Sequence, residues 1–448
     1  MRYIWFATIT RMMQVFTSLN NPIVEASLQA QMRIIVDDII RVYGSDCTVI
    51  LAGSFGRGEG SVKMETGKPP VPLNDFDVYV ITDRRVEPSF HREMEQKILR
   101  DLSQLTGSEL VRDKFVVGVE TVDRRSLTRL LPDISAYEMK AASQVLHGPD
   151  VRGLIPVTSR DIALASGAIT LYHRTIALLE NVEPEYLESK QYPDEKRLET
   201  VRETCKTYTE ICTSLSLLGG FYRPSYRARA QEFQKHSSQF PELVRLIPDL
   251  PEKVAKKTEM KISSDFSSII DEAPTKWLEA RRDLAICHRY FLSRMLGTEF
   301  NQPWTSFCRE SERKLKWIFF FEYLSFILKQ RGIHGSPFVY GANVLFQAYD
   351  SYSFNRRIRE FGRVPANTLL SLTSPLQSIY LATVSTLYAL RDDGTIDEKL
   401  LSEGTGYLEK VFKTSDLKVD APELWKLTRD NCLEAQKLYF IREQKRVF

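Results

Sequence analysis

The chain has 448 residues, 43% hydrophobic and 27% charged, the balance of a globular protein rather than a disordered or membrane-embedded one. Single hydrophobic cores stop growing at roughly 250 to 300 residues, so two domains are expected. Lys and Arg number 61 against 58 acidic residues, a net charge of +3, which excludes a uniformly basic nucleic-acid-coating protein while leaving room for a local basic groove.

The first residues, Met1 to Gln14, put one basic residue before a short apolar stretch that Arg11 closes early. No small-residue cleavage site follows, so a signal peptide is not expected, and Met12 or Met13 can serve as the start as well as Met1. From Ile23 to Tyr43 the residues Leu28, Met32, Ile35, Ile39 and Val42 recur at helical spacing, and Gly44-Ser45-Asp46 breaks the pattern. The β-branched run 47–54 reads as a strand ending in Gly-Ser, 76–82 alternates as a second strand, 90–105 reads as a helix and 114–122 as a third strand. Another helix is expected over 134–146, with His147 at its end, where a histidine satisfies terminal carbonyls before Gly148-Pro149.

A domain boundary is expected near residue 158, dividing the chain into 1–158 and 159–448. Beyond it strand signals are rare. Ile162, Ile169, Tyr172, Ile176 and Leu179 form one helical stripe, and Leu198, Val201, Cys205, Tyr208, Cys212 and Leu215 form another that stops at Gly219-Gly220. Further helices are expected over about 274–296, 305–331, 338–351, 374–391 and 421–442, and 253–264 is the expected mobile loop. The fold class is therefore an α+β N-terminal domain followed by an all-α C-terminal domain. Cysteines 47, 205, 212, 287, 308 and 432 lie far apart with no Cys-x-x-Cys pair, which argues against a zinc or disulfide framework and fits buried thiols in a reducing cytoplasm. The stretch 317–328 is shorter than the ~20 residues a bilayer requires and carries Glu322, so no membrane span is expected.

Two segments carry the chemistry. "GSFGRGEG" at 53–60 follows a strand and turns tightly, presenting backbone N–H groups and a hydroxyl to an anion such as a triphosphate tail. In "NDFDVYV" at 74–80, Asp75 and Asp77 are two apart on a strand, so both carboxylates share one face while Phe76 and Val78 point into the core. Like charges this close repel each other unless a cation lies between them, and Mg²⁺ is bound by such carboxylates together with substrate phosphates and waters. The reaction class indicated is nucleotidyl transfer.

This pattern resembles the DNA polymerase β-like nucleotidyltransferases, and the Gly-Arg-Gly-Glu turn is similar to that of glutamine-synthetase adenylyltransferases and nitrogen-signalling uridylyltransferases. "SQVLHGPD" at 143–150 resembles a stretch that follows the catalytic strands in small members, and the likeness spans residues 30–157. It implies a mixed-sheet nucleotidyltransferase fold, phosphate contacts from Gly53 and Ser54, and two Mg²⁺ ions at Asp75 and Asp77. A nucleoside triphosphate, ATP by default, is the implied donor, and the acceptor is left open. The third carboxylate of such sites belongs on a neighbouring strand, for which Glu120 is the candidate and Asp123 the alternative. The interval between Ser54 and Asp75 is longer than usual, so 61–72 reads as a loop inserted at the site mouth.

Arg57 suits bidentate phosphate recognition or a pair with Glu59; Glu59 reads as an acceptor for the N–H groups of the turn. Arg223, Arg227 and Arg229, interleaved with Tyr222 and Tyr226, form an anion-binding cluster or a solvated helix start. Arg281 or Arg282 with His288 and Tyr290 resembles the Arg-x4-6-His-x-Tyr motif of HEPN ribonuclease toxins. However, Arg85 and His91 repeat the spacing without the tyrosine, and His288 shares an apolar stripe with Trp277, Leu284, Phe291 and Met295, where a packed histidine is the commoner outcome. A catalytically silent nucleotide-binding relative is the remaining alternative.

Overall fold

The computed structural model describes residues 14–64, 67–108, 110, 117–189, 192–318, 320–333, 335–366, 374–413 and 419–440. The start through Met13, and residues 114–116 of the expected third strand, lie outside these. The chain divides into two units: residues 1–124 with 141–153, and residues 125–140 with 154–448. Where a single boundary near residue 158 is expected, the chain crosses between the units three times, because residues 125–140 pack with the helical unit before the chain returns to the first and leaves it again after Gly153.

The first unit is α+β. Its elements are α1 (Pro22–Tyr43), β1 (Thr48–Leu51), the one-turn α2 (Gly53–Gly56), β2 (Val62–Lys63), β3 (Val71–Pro72), β4 (Phe76–Ile81), α3 (Pro88–Thr106) and β5 (Val117–Val122). After α4 (Ile134–Ala142), which begins in the other unit, β6 (Gln144–His147) returns. The four-stranded sheet has the order β5-β4-β1-β6, with β5 parallel to β4 and the other pairs antiparallel. Asn21 caps α1 by accepting from the N–H groups of Ile23 and Val24, and Gly44, at φ 87°, ends it. The helical stripe Leu28, Met32, Ile35 and Ile39 packs with Ile98 and Leu102 of α3 and with Val49, Leu51, Phe76, Val78 and Val80 in one buried cluster. That burial, about 25 cal/mol per Å² of apolar surface, fixes which sheet face is core and therefore which face is left for Asp75 and Asp77.

The expected helix over 134–146 is shorter than the spacing indicates. It ends at Ala142, and Gln144–His147 pairs with β1 as an edge strand, His147 standing opposite Val49. His147 accordingly lies on a strand rather than at a helix end, with Nε2 2.9 Å from the Ser45 carbonyl oxygen. Within the interval 61–72, β2 and β3 pair antiparallel, tied at their base where Ser61 N–H donates to Asn74 Oδ1 (2.8 Å) and Leu73 N–H to Ser61 O (2.9 Å).

The second unit is helical: α5 (Leu164–Glu180), α6 (Pro184–Ser189), α7 (Asp194–Leu218), α8 (Tyr226–His236), α9 (Pro241–Leu246), α10 (Leu250–Ser263), α11 (Ala273–Leu296), α12 (Trp304–Ile318), α13 (Phe321–Gln330), α14 (Ser336–Glu360), α15 (Pro375–Ala389), α16 (Glu398–Glu409) and α17 (Ala421–Phe440). Its core joins Tyr172, Ile176 and Leu179 of α5 to Tyr208, Cys212 and Leu215 of α7, Trp277 and Phe291 of α11, and a wholly buried α15. Glu322, which interrupts the most apolar stretch, accepts from Ala165 N–H at the start of α5 (2.9 Å). The loop expected over 253–264 is the helix α10. Lys257 and Lys261 bury their stems beside Val254, Met260 and Ile262, and the Lys261 ammonium lies 4.3 Å from the Tyr226 ring centroid. All six cysteines are buried and free. Among the described residues no helix is long and apolar enough to cross a membrane.

Candidate functional site

The site is built where β1 meets β4. In the antiparallel register Leu51 faces Val78, and one step beyond, Ala52 N–H donates to Asp77 O at 2.8 Å. This places the turn that follows β1 directly beside Asp77. Gly53 is in the left-handed region at φ 63°, and a Cβ there would lie 1.9 Å from Asp77 Oδ2. The Asp77 carboxylate therefore occupies the space that any side chain at position 53 would fill, and only glycine allows the contact. Gly56 N–H to Ala52 O is the first bond of the α2 turn. The N–H groups of Gly53, Ser54 and Phe55 lie ahead of it, at the end of a helical turn that presents donors.

The turn is held from two sides. The Gln144 amide of β6 donates to Phe55 O and Gly56 O, both at 3.2 Å, and to Val15 O at 2.7 Å. Glu59 N–H donates to Ser54 O at 2.8 Å. Arg57 and Glu59 are both buried and form an ion pair at 3.5 Å. Of the two roles expected for Arg57, the geometry shows the pair with Glu59. Gln144 is the supporting residue that sequence reasoning missed; its position just before the apolar Val145-Leu146 concealed that it belongs to an edge strand facing the turn.

Asp75, just before β4, and Asp77 on it are exposed while Phe76 and Val78 are buried, the alternation expected of one face core and one face open. Across the parallel pairing Asp77 stands beside Gly118 and Tyr79 beside Glu120. Glu120 thus shares the face of the aspartates but lies one strand over and two residues farther along, about 8 Å from Asp77 between Cα atoms. Glu120 is exposed as a residue, yet its carboxyl is desolvated enough to be raised above the usual range. Asp123 follows the end of β5. Among the described residues no three His, Cys, Asp or Glu side chains could hold one metal ion; the structure puts Asp77 against the glycine turn, with Asp75 two residues before it and Glu120 one strand over.

The remaining candidates are structural. Arg229 is 1% exposed, donating to Glu138 Oε1 at 2.8 Å, Tyr222 OH at 2.7 Å and the Arg223 and Pro224 carbonyls. Arg227 pairs with Glu259 at 2.7 Å and Arg223 with Glu232 at 3.7 Å. His288 is 1% exposed, its ring edge-on to Tyr172 at 4.6 Å, and burial pushes it down to about 3. Arg281 donates to the Leu387 and Leu390 carbonyls and to Asp392, and Arg282 also binds Asp392. The solvent-facing Arg–His pair that RNA cleavage requires is absent here.

Comparison with models of known families gives no match, and comparison with curated proteins gives none at a significant level.

Proposed function

We propose that the chain is a metal-dependent nucleotidyltransferase that moves a nucleoside monophosphate from a nucleoside triphosphate, ATP by default, to a hydroxyl or phosphate acceptor. The observation that supports this reading is the contact of Gly53 with Asp77. It sets the N–H groups that open the α2 turn beside the exposed Asp77 carboxylate, with Asp75 two residues before it, the juxtaposition that a triphosphate bridged by Mg²⁺ requires. Asp75 and Asp77 suit the cation because they are exposed, share one face, and one of them fills the space left by the missing Cβ of Gly53. When bound, Mg²⁺ would neutralise charge on the phosphates and favour departure of pyrophosphate. The residues of the chain orient the reactants: the turn at Gly53 and Ser54 holds phosphate oxygens, and the two aspartates fix the triphosphate so that an acceptor oxygen approaches the α-phosphorus in line.

One specific observation favours a second reading, a nucleotide-binding relative without transfer activity. Glu120 stands opposite Tyr79 instead of Asp77, so the third acid on which such chemistry depends is displaced along the sheet. Incubation with each α-labelled nucleoside triphosphate, Mg²⁺ and a cell lysate distinguishes the two. Transfer of label that disappears in an Asp75→Asn/Asp77→Asn variant supports the enzyme. Metal-dependent binding with no label transferred supports the silent relative, and label transfer unchanged in the double variant refutes the site itself.

A further inference from the structure

The long helix α14 buries polar residues alongside Val339, Phe354 and Ile358 and leaves large apolar ones exposed. Asn343, Gln347, Asp350, Ser351 and Asn355 are buried, while Phe338, Leu345, Tyr349 and Tyr352 are 65, 73, 51 and 59% exposed. At 100° per residue these four, with Arg356 one turn further on, fall within an arc of about 60°, on the side of the helix directly away from its buried face. Off the stripe, Phe346 packs on Phe320 at 4.8 Å and Tyr340 on Phe321 at 5.0 Å. The stripe recurs at intervals of seven, four, three and four, the period of helices that pair along a seam.

The area and the pattern both select the occupant. Taking ~200 Å² for each fully exposed large side chain, the four stripe residues offer roughly 500 Å² of apolar surface per copy, and Arg356 extends the face to roughly 650 Å². The apolar part lies toward the upper end of the roughly 300–600 Å² of the largest patch on an ordinary monomer, a patch that is often functional, and the whole face approaches the roughly 800 Å² each partner of a stable complex buries. The stripe is also complementary to itself when reversed. With two copies of α14 antiparallel about a two-fold axis at the level of Gln347, Leu345 meets the partner's Tyr349, the small Ala342 meets the partner's Tyr352, and Phe338 meets the partner's Arg356. Each contact occurs twice, as two-fold symmetry demands, and the last sets a guanidinium over an aromatic face. Parallel packing would set Arg356 against its own copy and Tyr352 against Tyr352, opposing like charges and crowding large side chains. Arg356 otherwise makes a solvent-exposed pair with Glu360 at 3.3 Å, which holds it weakly.

We infer that the exposed face of α14 is a homodimer interface, closed by a second copy of this chain packed antiparallel across the stripe. The inference is independent of the proposed activity.

Sedimentation velocity of the full chain at micromolar concentration tests it. The expected species has twice the 51.7-kDa chain mass. Leu345→Glu/Tyr349→Glu is expected to weaken association on the order of 100-fold, because charges replace the central contacts. Helical circular dichroism should stay unchanged, since both positions are exposed. Oxidative cross-linking supplies the geometry: Leu345→Cys/Tyr349→Cys should form intermolecular disulfides, Leu345→Cys alone should not, and the six buried natural cysteines give little background. A monomeric wild type overturns the inference, whether or not the face binds lipid vesicles. So does a dimer that persists undiminished in the double Glu variant, or a single cysteine that cross-links as well as the pair.

Discussion

Replacing Gly53 by alanine separates the site from the fold. At φ 63° an L-residue costs about 1–2 kcal/mol, and this is the larger part of the expected loss of stability, because the clashing atoms, Asp77 Oδ2 and Cγ, belong to a side chain that can turn aside. The new Cβ would stand 1.9 Å from Asp77 Oδ2, whereas ordinary contacts begin at 3.4 Å, so the carboxylate must swing by about 1.5 Å. Metal ligands tolerate departures of only ~0.2 Å, so nucleotide affinity in Mg²⁺ should fall at least ~10-fold. Gly58→Ala is the matched control: it has the same backbone strain at φ 74°, but its nearest neighbour is the Val15 carbonyl oxygen at 3.2 Å. Urea melts paired with nucleotide titrations should show both variants destabilised alike and only Gly53→Ala defective in binding. Full affinity in Gly53→Ala, or an equal loss in Gly58→Ala, would refute the reasoning.

Three further outcomes follow from named contacts. Gln144→Ala removes the donor to Phe55 O, Gly56 O and Val15 O and should cost about 1–3 kcal/mol in urea unfolding, with faster hydrogen exchange at the turn. Arg229→Ala leaves Glu138 and the Tyr222 hydroxyl without their shared buried cation; a loss of about 3–5 kcal/mol is expected by chemical denaturation. His288 is pushed down to about 3 by burial, so below its ordinary value near 6.5 the unfolded chain takes up a proton that the folded ring refuses. Stability is therefore present above about 6.5 and falls as pH drops toward about 3. Between pH 6.5 and 5 the wild type should lose about 2 kcal/mol more than His288→Gln, and equal slopes in the two proteins would contradict this.

Strong periodicity made α1, α3, β4 and most of the helical unit legible. Leu28, Met32, Ile35 and Ile39 have one helical reading, and the alternation through Phe76, Val78 and Val80 has one strand reading. What escaped was set by partners distant in sequence. Nothing within Gln144–His147 distinguishes a last helical turn from an edge strand; β1 decides it by offering an open edge. Lys257 and Lys261 suggested a solvated loop, and only the neighbours along their stems make α10 a helix. The exchange of residues 125–140 between units has no compositional mark, since it depends on contacts such as Glu138 with Arg229. At the site, the shared face of Asp75 and Asp77 was legible because their spacing of two sets it, whereas the meeting of Gly53 with Asp77 and the offset of Glu120 depend on strand registers that sequence does not fix.

The central claim is that the Gly53–Ser54 turn and the aspartate pair form one Mg²⁺-nucleotide site. Titration of a nonhydrolysable nucleoside triphosphate into the wild type and into Asp75→Asn/Asp77→Asn, each with and without Mg²⁺, tests it most directly. Binding is expected to require Mg²⁺ in the wild type and to be lost in the double variant. Binding that is equal in all four titrations, or absent from the wild type, would contradict it.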